Sequence, residues 1–325
     1  MRILTIFTRF GTEKYATAEQ ELDKLFAAGL PDVVRDVIVV DTAMTPGVVE
    51  QDGRRTLLGS DNDAWEFSAI DTAVRFVGNR LWTYDLVNVV TSAFRQLYVG
   101  YLERFTPAVL DAIEGRPVCL GHIDCYNEPI RVLEYTSQHW VRTSCFFLPP
   151  AEFGILQSAR SVGDRDRWFS GDPARPFRDD APLSAGYQRL ITDWLTGGDI
   201  GQGTTWHSAM ALDAGRLALF EQKALTILNE HLLAIRLRAS GCRLVDVTWL
   251  WSRVGGGLDG LDWDTPWWRQ IAERTVDSVH VGSHRRFVED RHADAARSRQ
   301  RRHRAVRRDT TGFVSTGGAS GGSSE

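Results

Sequence analysis

RILTIFTRF (residues 2–10), TAEQELDKLFAAG (17–29) and VVRDVIVVDT (33–42) follow one another at the start of the chain and together spell a strand, a helix and a strand. The first and third are short, nearly continuous runs of β-branched and apolar residues. Strands covered on both faces, as in a parallel sheet, have that composition. The segment between them reads as a helix. Downstream, EFSAIDTAVRFV (66–77) and PAVLDAIEG (107–115) read as helices. YDLVNVVTSAF (84–94), VCLGHID (118–124) and HWVRTSCFFLP (139–149) read as strands. Strands separated by helices predict an α/β fold of the Rossmann type, with a mostly parallel sheet, right-handed crossovers and flanking helices. Ligands of such sheets bind outside the carboxyl ends of the strands, so the residues just after each strand carry the functional reading.

Composition bounds what the chain can be. Its 325 residues, 43% hydrophobic, are enough to bury one large core or two smaller ones. There is no run of 18 apolar residues to span a bilayer, and the N-terminus lacks the pattern of a signal peptide. The four Cys have no CxxC spacing and read as intracellular thiols. The location expected is cytoplasmic. Basic residues comprise 35 Arg and 3 Lys. From His284 to Arg308 there are ten Arg against three acids, whereas the whole chain carries −4. This segment and the GGASGGSSE that closes the chain predict a disordered tail. The tail is either simply solvated or drawn to an anionic membrane surface on the inner face, at about 1 kcal/mol per Arg. The acidic remainder argues against a nucleic-acid partner.

NEHLLAIRLRASGCRL (229–244) ends a long helical pattern that begins near Gly215. Phe220, Ala224, Ile227, Leu228, Leu232 and Ile235 share one stripe, and Gly241 stands where a helix-terminating glycine is expected. Glu230 falls about 60° beyond the edge of that stripe. Such a border position suits a carboxylate at a cleft wall and equally an ordinary surface one. The segment resembles E-D-x-x-L-x-x-R-L-x-x-x-G of the nucleotide-sugar glycosyltransferases of the GT-A fold. Asn229 replaces the first acid, Glu230 falls on the second, and Leu233, Arg236, Leu237 and Gly241 fall on the rest. In that family the second acid is the catalytic base, and the resemblance implies that role for Glu230.

Further residues extend the resemblance over about residues 1–250. VIVVDTAMTPG looks like the second strand of GT-A enzymes, and Asp41 matches the Asp that contacts the nucleotide base. Thr8 and Arg9 end the first strand. GSDNDAWEFSAID (59–71) falls ahead of the helix that closes over the nucleotide, with Asp61, Asn62, Ser68 and Asp71 as polar candidates. Each of these could instead be a loop or capping residue. YDLVNVVTSAF and WVRTSCFF are similar to stretches of the glycosyltransferase-like proteins of bacterial surface polysaccharide synthesis. One departure matters. The family's Asp-x-Asp, which holds Mg or Mn on the sugar diphosphate, is replaced by Thr91-Ser92-Ala93. Hydroxyls are poor ligands for hard cations. A metal-independent enzyme would need another cation on the diphosphate, and Arg9, Arg95 and Arg142 are candidates, with Thr91 and Ser92 beside them.

The resemblance implies three regions: a nucleotide-sugar-binding α/β half (1–150), an acceptor-side, helical half of the same domain (151–283), and the basic, then Gly/Ser-rich tail (284–325). His122 and Asp124, two apart on a strand, read as residues of a sugar or acceptor pocket, as a hydrogen-bonded structural pair, or as metal ligands of a hydrolase. TGGDIGQGTTWHSA (196–209) reads as a flexible lid, with Trp206 and His207 toward the sugar or acceptor. DWDTPWWRQIAER carries Trp and Arg together, as an interface-lying helix does. The function expected is transfer of a sugar from a nucleotide-diphosphate donor to a hydroxyl of a glycan or lipid-linked acceptor. The alternative is a non-catalytic relative that binds a sugar nucleotide or glycan, or scaffolds an assembly.

Overall fold

A computed structural model describes residues 1–274, apart from 97, 98, 199, 201–205, 207, 258 and 259. The basic tail and its expected membrane role lie outside the described residues, as does His207. Among the described residues, eight strands form one sheet. In chain order they are β1 (Arg2–Arg9), β2 (Val34–Asp41), β3 (Val49–Asp52), β4 (Arg55–Gly59), β5 (Leu86–Thr91), β6 (Val118–Val132), β7 (Tyr135–Leu148) and β8 (Arg243–Asp246). Their spatial order is β3-β4-β2-β1-β5-β7-β6-β8.

The opening triplet folds as its composition predicts. Strands β1 and β2 pair in parallel, and α1 (Ala18–Gly29) crosses between them. Side chains alternate along β1: Ile3 and Phe7 face one side of the sheet, Leu4 and Ile6 the other, and none exceeds 1% exposure. Against the first face pack α1, α3 (Pro107–Ile113) and α7 (Val247–Val254). Against the second pack α2 (Glu66–Val77), α4 (Pro150–Leu156), α5 (Ala185–Thr196) and α6 (Leu217–Ala239). Two covered faces explain why β1, β2 and β5 read as continuous apolar runs.

The expectation of a mostly parallel sheet is corrected: the sheet is mixed. Strands β3 and β4 are antiparallel, and so are β5–β7 and β6–β7. The segments read as 118–124 and 139–149 are the two arms of one long hairpin, closed at Leu133 and Glu134. That turn holds Leu133 at φ 53° without glycine or asparagine, and the Leu133 N–H donates to Pro182 O at 2.7 Å. A tertiary contact therefore supports a backbone region that leucine disfavours, and no local turn residue announces it.

Helix α6 ends as expected at Gly241 (φ 92°), where Gly241 N–H donates to Arg238 O and Cys242 N–H to Leu237 O. These two bonds make a Schellman motif. The chain then enters β8, an edge strand of four residues. The Gln270 side chain from α8 (Trp267–Glu273) guards that edge, accepting from Asp246 N–H and donating to Leu244 O. The Trp-rich segment expected to lie at an interface is this short helix. Ile271 is buried, Trp267 stacks on His139 at 4.8 Å, and Trp268 is 38% exposed. No helix among the described residues is long and apolar enough to cross a membrane.

The end of the described chain is locked by charge. Arg274 donates to Asp246 Oδ2 at 2.7 Å and to Ile123 O at 2.9 Å, with the two side chains only 9% and 0% exposed. Asp246 Oδ1 also caps α7 through Thr248 N–H and Trp249 N–H. Removing one partner strands a buried charge, so Arg274→Met is expected to lower unfolding free energy by about 3–5 kcal/mol. Urea denaturation checks this, with Arg269→Met, at an exposed pair, expected to leave the midpoint in place.

Candidate active site

The parallel strands β1, β2, β4 and β5 end at Arg9, Asp41, Gly59 and Thr91, on one rim of the sheet. The central part of the β6–β7 hairpin reaches the same rim. There Asp124 lies opposite Trp140, with Arg142 and Thr143 next along β7. Glu230 of α6 meets this rim. Thr143 N–H and Thr143 Oγ both donate to Glu230 Oε1, at 2.8 and 3.0 Å. Oε2 accepts no hydrogen bond from the described residues. Burial raises the affinity of the Glu230 carboxyl for its proton. The Thr143 bonds and the Arg142 guanidinium oppose that shift, and the Asp124 charge adds to it.

The residues flanking Glu230 do different work. Asn229, fully buried, accepts from Ser161 N–H and Val162 N–H at 2.7 and 2.9 Å and donates to Val162 O. Arg236 donates to Leu156 O at the end of α4 and to Ser158 O in the loop that follows. His231 bonds Tyr187 Oη through Nδ1 and faces Tyr126 Oη at 3.5 Å. Burial pushes its imidazole down to about 3, so it is neutral across the physiological range. Trp140 packs on the same ring at 4.3 Å.

The expected nucleotide-side residues divide. Arg9 and Asp41 meet at 2.7 Å, and Asp41 Oδ1 also accepts from Gly11 N–H and Ala43 N–H. These bonds outweigh burial and hold the Asp41 carboxyl below the usual range. Asp61 and Asn62 are exposed ahead of α2, and Asp61 accepts from Asp63 N–H. Neither caps the helix, whose N-cap is Trp65. Asp71 accepts from Ser158 Oγ and Ala159 N–H at 2.5 and 2.6 Å, fastening α2 to the loop after α4. Thr91 and Ser92 sit half-buried at the rim, with Ser92 N–H on Thr8 O. Arg95 is exposed and lies 3.9 Å from Glu21 of α1, on the other face of the sheet from α6.

Of the residues expected on the acceptor side, Asp124 and Arg142 come together at Glu230, while His122 and Trp206 lie elsewhere. Arg142 and Asp124 form a buried ion pair beside Glu230. His122 stacks on Tyr101 at 5.0 Å and lies 3.9 Å from Asp246. Tyr101 Oη shares a hydrogen bond with Ser144 Oγ at 3.0 Å. Trp206 is half-buried, with Lys223 Nζ 4.0 Å from its ring centre. Among the described residues no group of three or more His, Cys, Asp or Glu is arranged to hold a metal ion. The residues that end β5, Thr91-Ser92-Ala93, supply no carboxylate, so the donor set does not fit Mg or Mn.

Two groups whose charges bear on one another near Glu230 were not expected from the sequence. Glu66, in the first turn of α2, is pushed up to about 7 by burial, with the Glu230 charge adding and Lys223 opposing. Lys223 lies seven residues, about two turns, before Glu230 on α6. Its ammonium is pulled down to about 8 by burial and by Lys14, against the pull of Glu66. Trp65 takes φ 53° to enter α2, and Lys223 Nζ stands 5.2 Å from its ring centre. The two-turn spacing of Lys223 and Glu230 was the available signal for one of them; for Glu66 there was none.

Compared with known protein families and with curated proteins, the chain matches none.

A proton on Glu66 favours the folded state, because its folded value, about 7, lies above the ordinary 4.5. Its contribution to stability is therefore present below pH 4.5 and lost as pH rises through 7. His231 works oppositely: its folded value, about 3, lies below the ordinary 6.5, so its contribution is lost as pH falls from 6.5 toward 3. Glu66→Gln is expected to melt higher than the parent at pH 8, with the difference closing toward pH 5. Melting curves at both pH values check this.

Proposed function

We propose that this protein is a glycosyltransferase of GT-A type, moving a sugar from a nucleotide-diphosphate donor to an acceptor hydroxyl with inversion. The observation that carries this reading is the setting of Glu230. One carboxylate oxygen is fixed by Thr143, the other has no hydrogen bond from the described residues, and burial makes the group more basic than an ordinary glutamate. A general base needs that combination: a fixed position, an open lone pair and a raised proton affinity.

In this scheme the acceptor hydroxyl donates to Glu230 Oε2 and attacks the anomeric carbon as the bond to the diphosphate breaks. The hydroxyl proton passes to Glu230, and the electron pair of the broken bond leaves on the diphosphate. The Asp124–Arg142 pair holds a fixed guanidinium beside the base, where it tempers the rise in proton affinity. His231, kept neutral and bonded to Tyr187, braces the helix turn that carries Glu230. Asp41 reaches a nucleotide only by sharing oxygens that already accept three hydrogen bonds, so the exposed Asp61 and Asn62 are the freer donor contacts. Hydroxyls at Thr91 and Ser92 in place of acids favour a second reading, a relative that binds a sugar nucleotide without turning it over.

Glu230→Gln keeps both Thr143 bonds within reach and removes the base. It is expected to lower the rate of sugar transfer roughly 10²- to 10⁴-fold with donor binding retained. Donor binding by calorimetry and product formation by chromatography check this on the same preparations. Undiminished transfer by the Gln variant overturns the role of Glu230. Binding with no transfer by either protein supports the second reading.

A further inference from the structure

We propose that Lys223, together with Lys14, forms an anion site that receives the diphosphate of the ligand in place of a metal ion. This rests on the nucleotide-sugar reading for the identity of the ligand, while the site itself stands on the cations of the cleft.

The chain uses 35 Arg and only 3 Lys, yet the charge of one of the three, Lys14, bears on another, Lys223. Lys223 projects from α6, and Lys14 comes from the loop after β1, which passes over the strand ends. The Lys223 ammonium lies 4.0 Å from the Trp206 ring centre and 5.2 Å from that of Trp65. It has no carboxylate within ion-pair distance among the described residues. Indole faces attract a cation without neutralising it, so the positive charge remains available to a ligand.

A second lysine whose charge reaches a half-buried first one is unfavourable in the free protein. An anion bound between them relieves that repulsion, and few other ligands would. The other charged group bearing on Lys223 is Glu66 at the start of α2, which itself feels the charge of Glu230. Glu66 sits near 7 and Lys223 near 8, so at neutral pH both take up protons when an anion arrives. Protonation of Glu66 removes a repelling charge, and protonation of Lys223 adds an attracting one. Binding of a diphosphate is thus coupled to proton uptake.

The test is calorimetry of inorganic pyrophosphate with the full chain, in EDTA, at pH 7 and pH 9, repeated at pH 7.5 in two buffers of different ionisation enthalpy. Expected are net proton uptake at pH 7.5 and loss of affinity of about tenfold between pH 7 and 9, as Lys223 loses its charge. Lys223→Met loses at least tenfold at pH 7. Lys223→Arg, which keeps the charge, binds at pH 7 with a smaller fall in affinity toward pH 9, the remainder coming from Glu66. Lys14→Met weakens binding several-fold. Pyrophosphate binding that is unchanged in Lys223→Met, as attachment to the arginine-rich tail would be, overturns the proposal, and so does an arginine variant that keeps the parent's pH dependence. If sugar transfer depends on Glu230 while pyrophosphate binding ignores Lys223, the anion site is wrong and the transferase reading stands. If pyrophosphate binding depends on Lys223 while no nucleotide sugar binds, the site stands and the transferase reading fails.

Discussion

Three consecutive polar side chains in the buried middle of α6, Asn229, Glu230 and His231, are the constraint on which the rest of the molecule depends. Each points about 100° from the next, so one turn of helix reaches three neighbours. Asn229 holds the loop at 161–162, Glu230 holds Thr143 of β7, and His231 holds Tyr187 of α5. A buried polar group without a partner costs about 1–3 kcal/mol, so each neighbour must stand where its partner requires. Helix, hairpin, loop and α5 are thereby fixed relative to one another, and the carboxylate among the three is left at the strand ends with one oxygen open.

The mixed sheet follows from the same arrangement. A parallel strand beside β5 would present its carboxyl end to the rim. The antiparallel β7 instead crosses the rim in mid-strand, and it does so at a register shift: the ladder with β6 passes from Gly121–Phe146 to Ile123–Val141, so Arg142 and Thr143 lie in the bulge between. A bulge re-aims side chains while the flanking ladder holds its two ends. Asp124 on β6 stands just beyond it, paired with Trp140. The donor side is built differently, from the loops after β1 and β4, and its residues are correspondingly more exposed. For the proposed transferase, a strand-built acceptor side facing a looser donor side suits a site that admits a large ligand and then aligns one hydroxyl.

Much of this was legible in the chain, and the failures have physical causes. The opening βαβ unit, α2 and the end of α6 at Gly241 were readable because local pattern and tertiary role agree there. Glu230 was readable only as a border residue, because an amphipathic stripe assumes a helix with one wet side. From Leu228 to Leu237 the helix is buried almost all round, so its polar residues mark internal contacts. The hairpin was missed because Leu133 and Glu134 carry no turn signal and the Pro182 carbonyl that supports them lies far along the chain. Arg95 was placed in the site by its nearness to β5 in sequence, but its guanidinium goes to Glu21 on the opposite face. Lys223 and Glu66 went unread because each gains its character from the other and from Trp65, Trp206 and Lys14. No window of sequence contains that set.

In the proposed function a nucleotide-diphosphate sugar binds at the strand ends, among the loop after β1, the start of α2 and the middle of α6. Amide hydrogen exchange of the full chain, with and without a saturating nucleotide-diphosphate sugar, reads that placement residue by residue. Slowed exchange is expected at residues 10–16, 61–68, 142–144 and 223–231 alone, with no change at the opposite rim around Arg2, Asp36 and Tyr84. Protection at that opposite rim, or none across a panel of donors, overturns the placement.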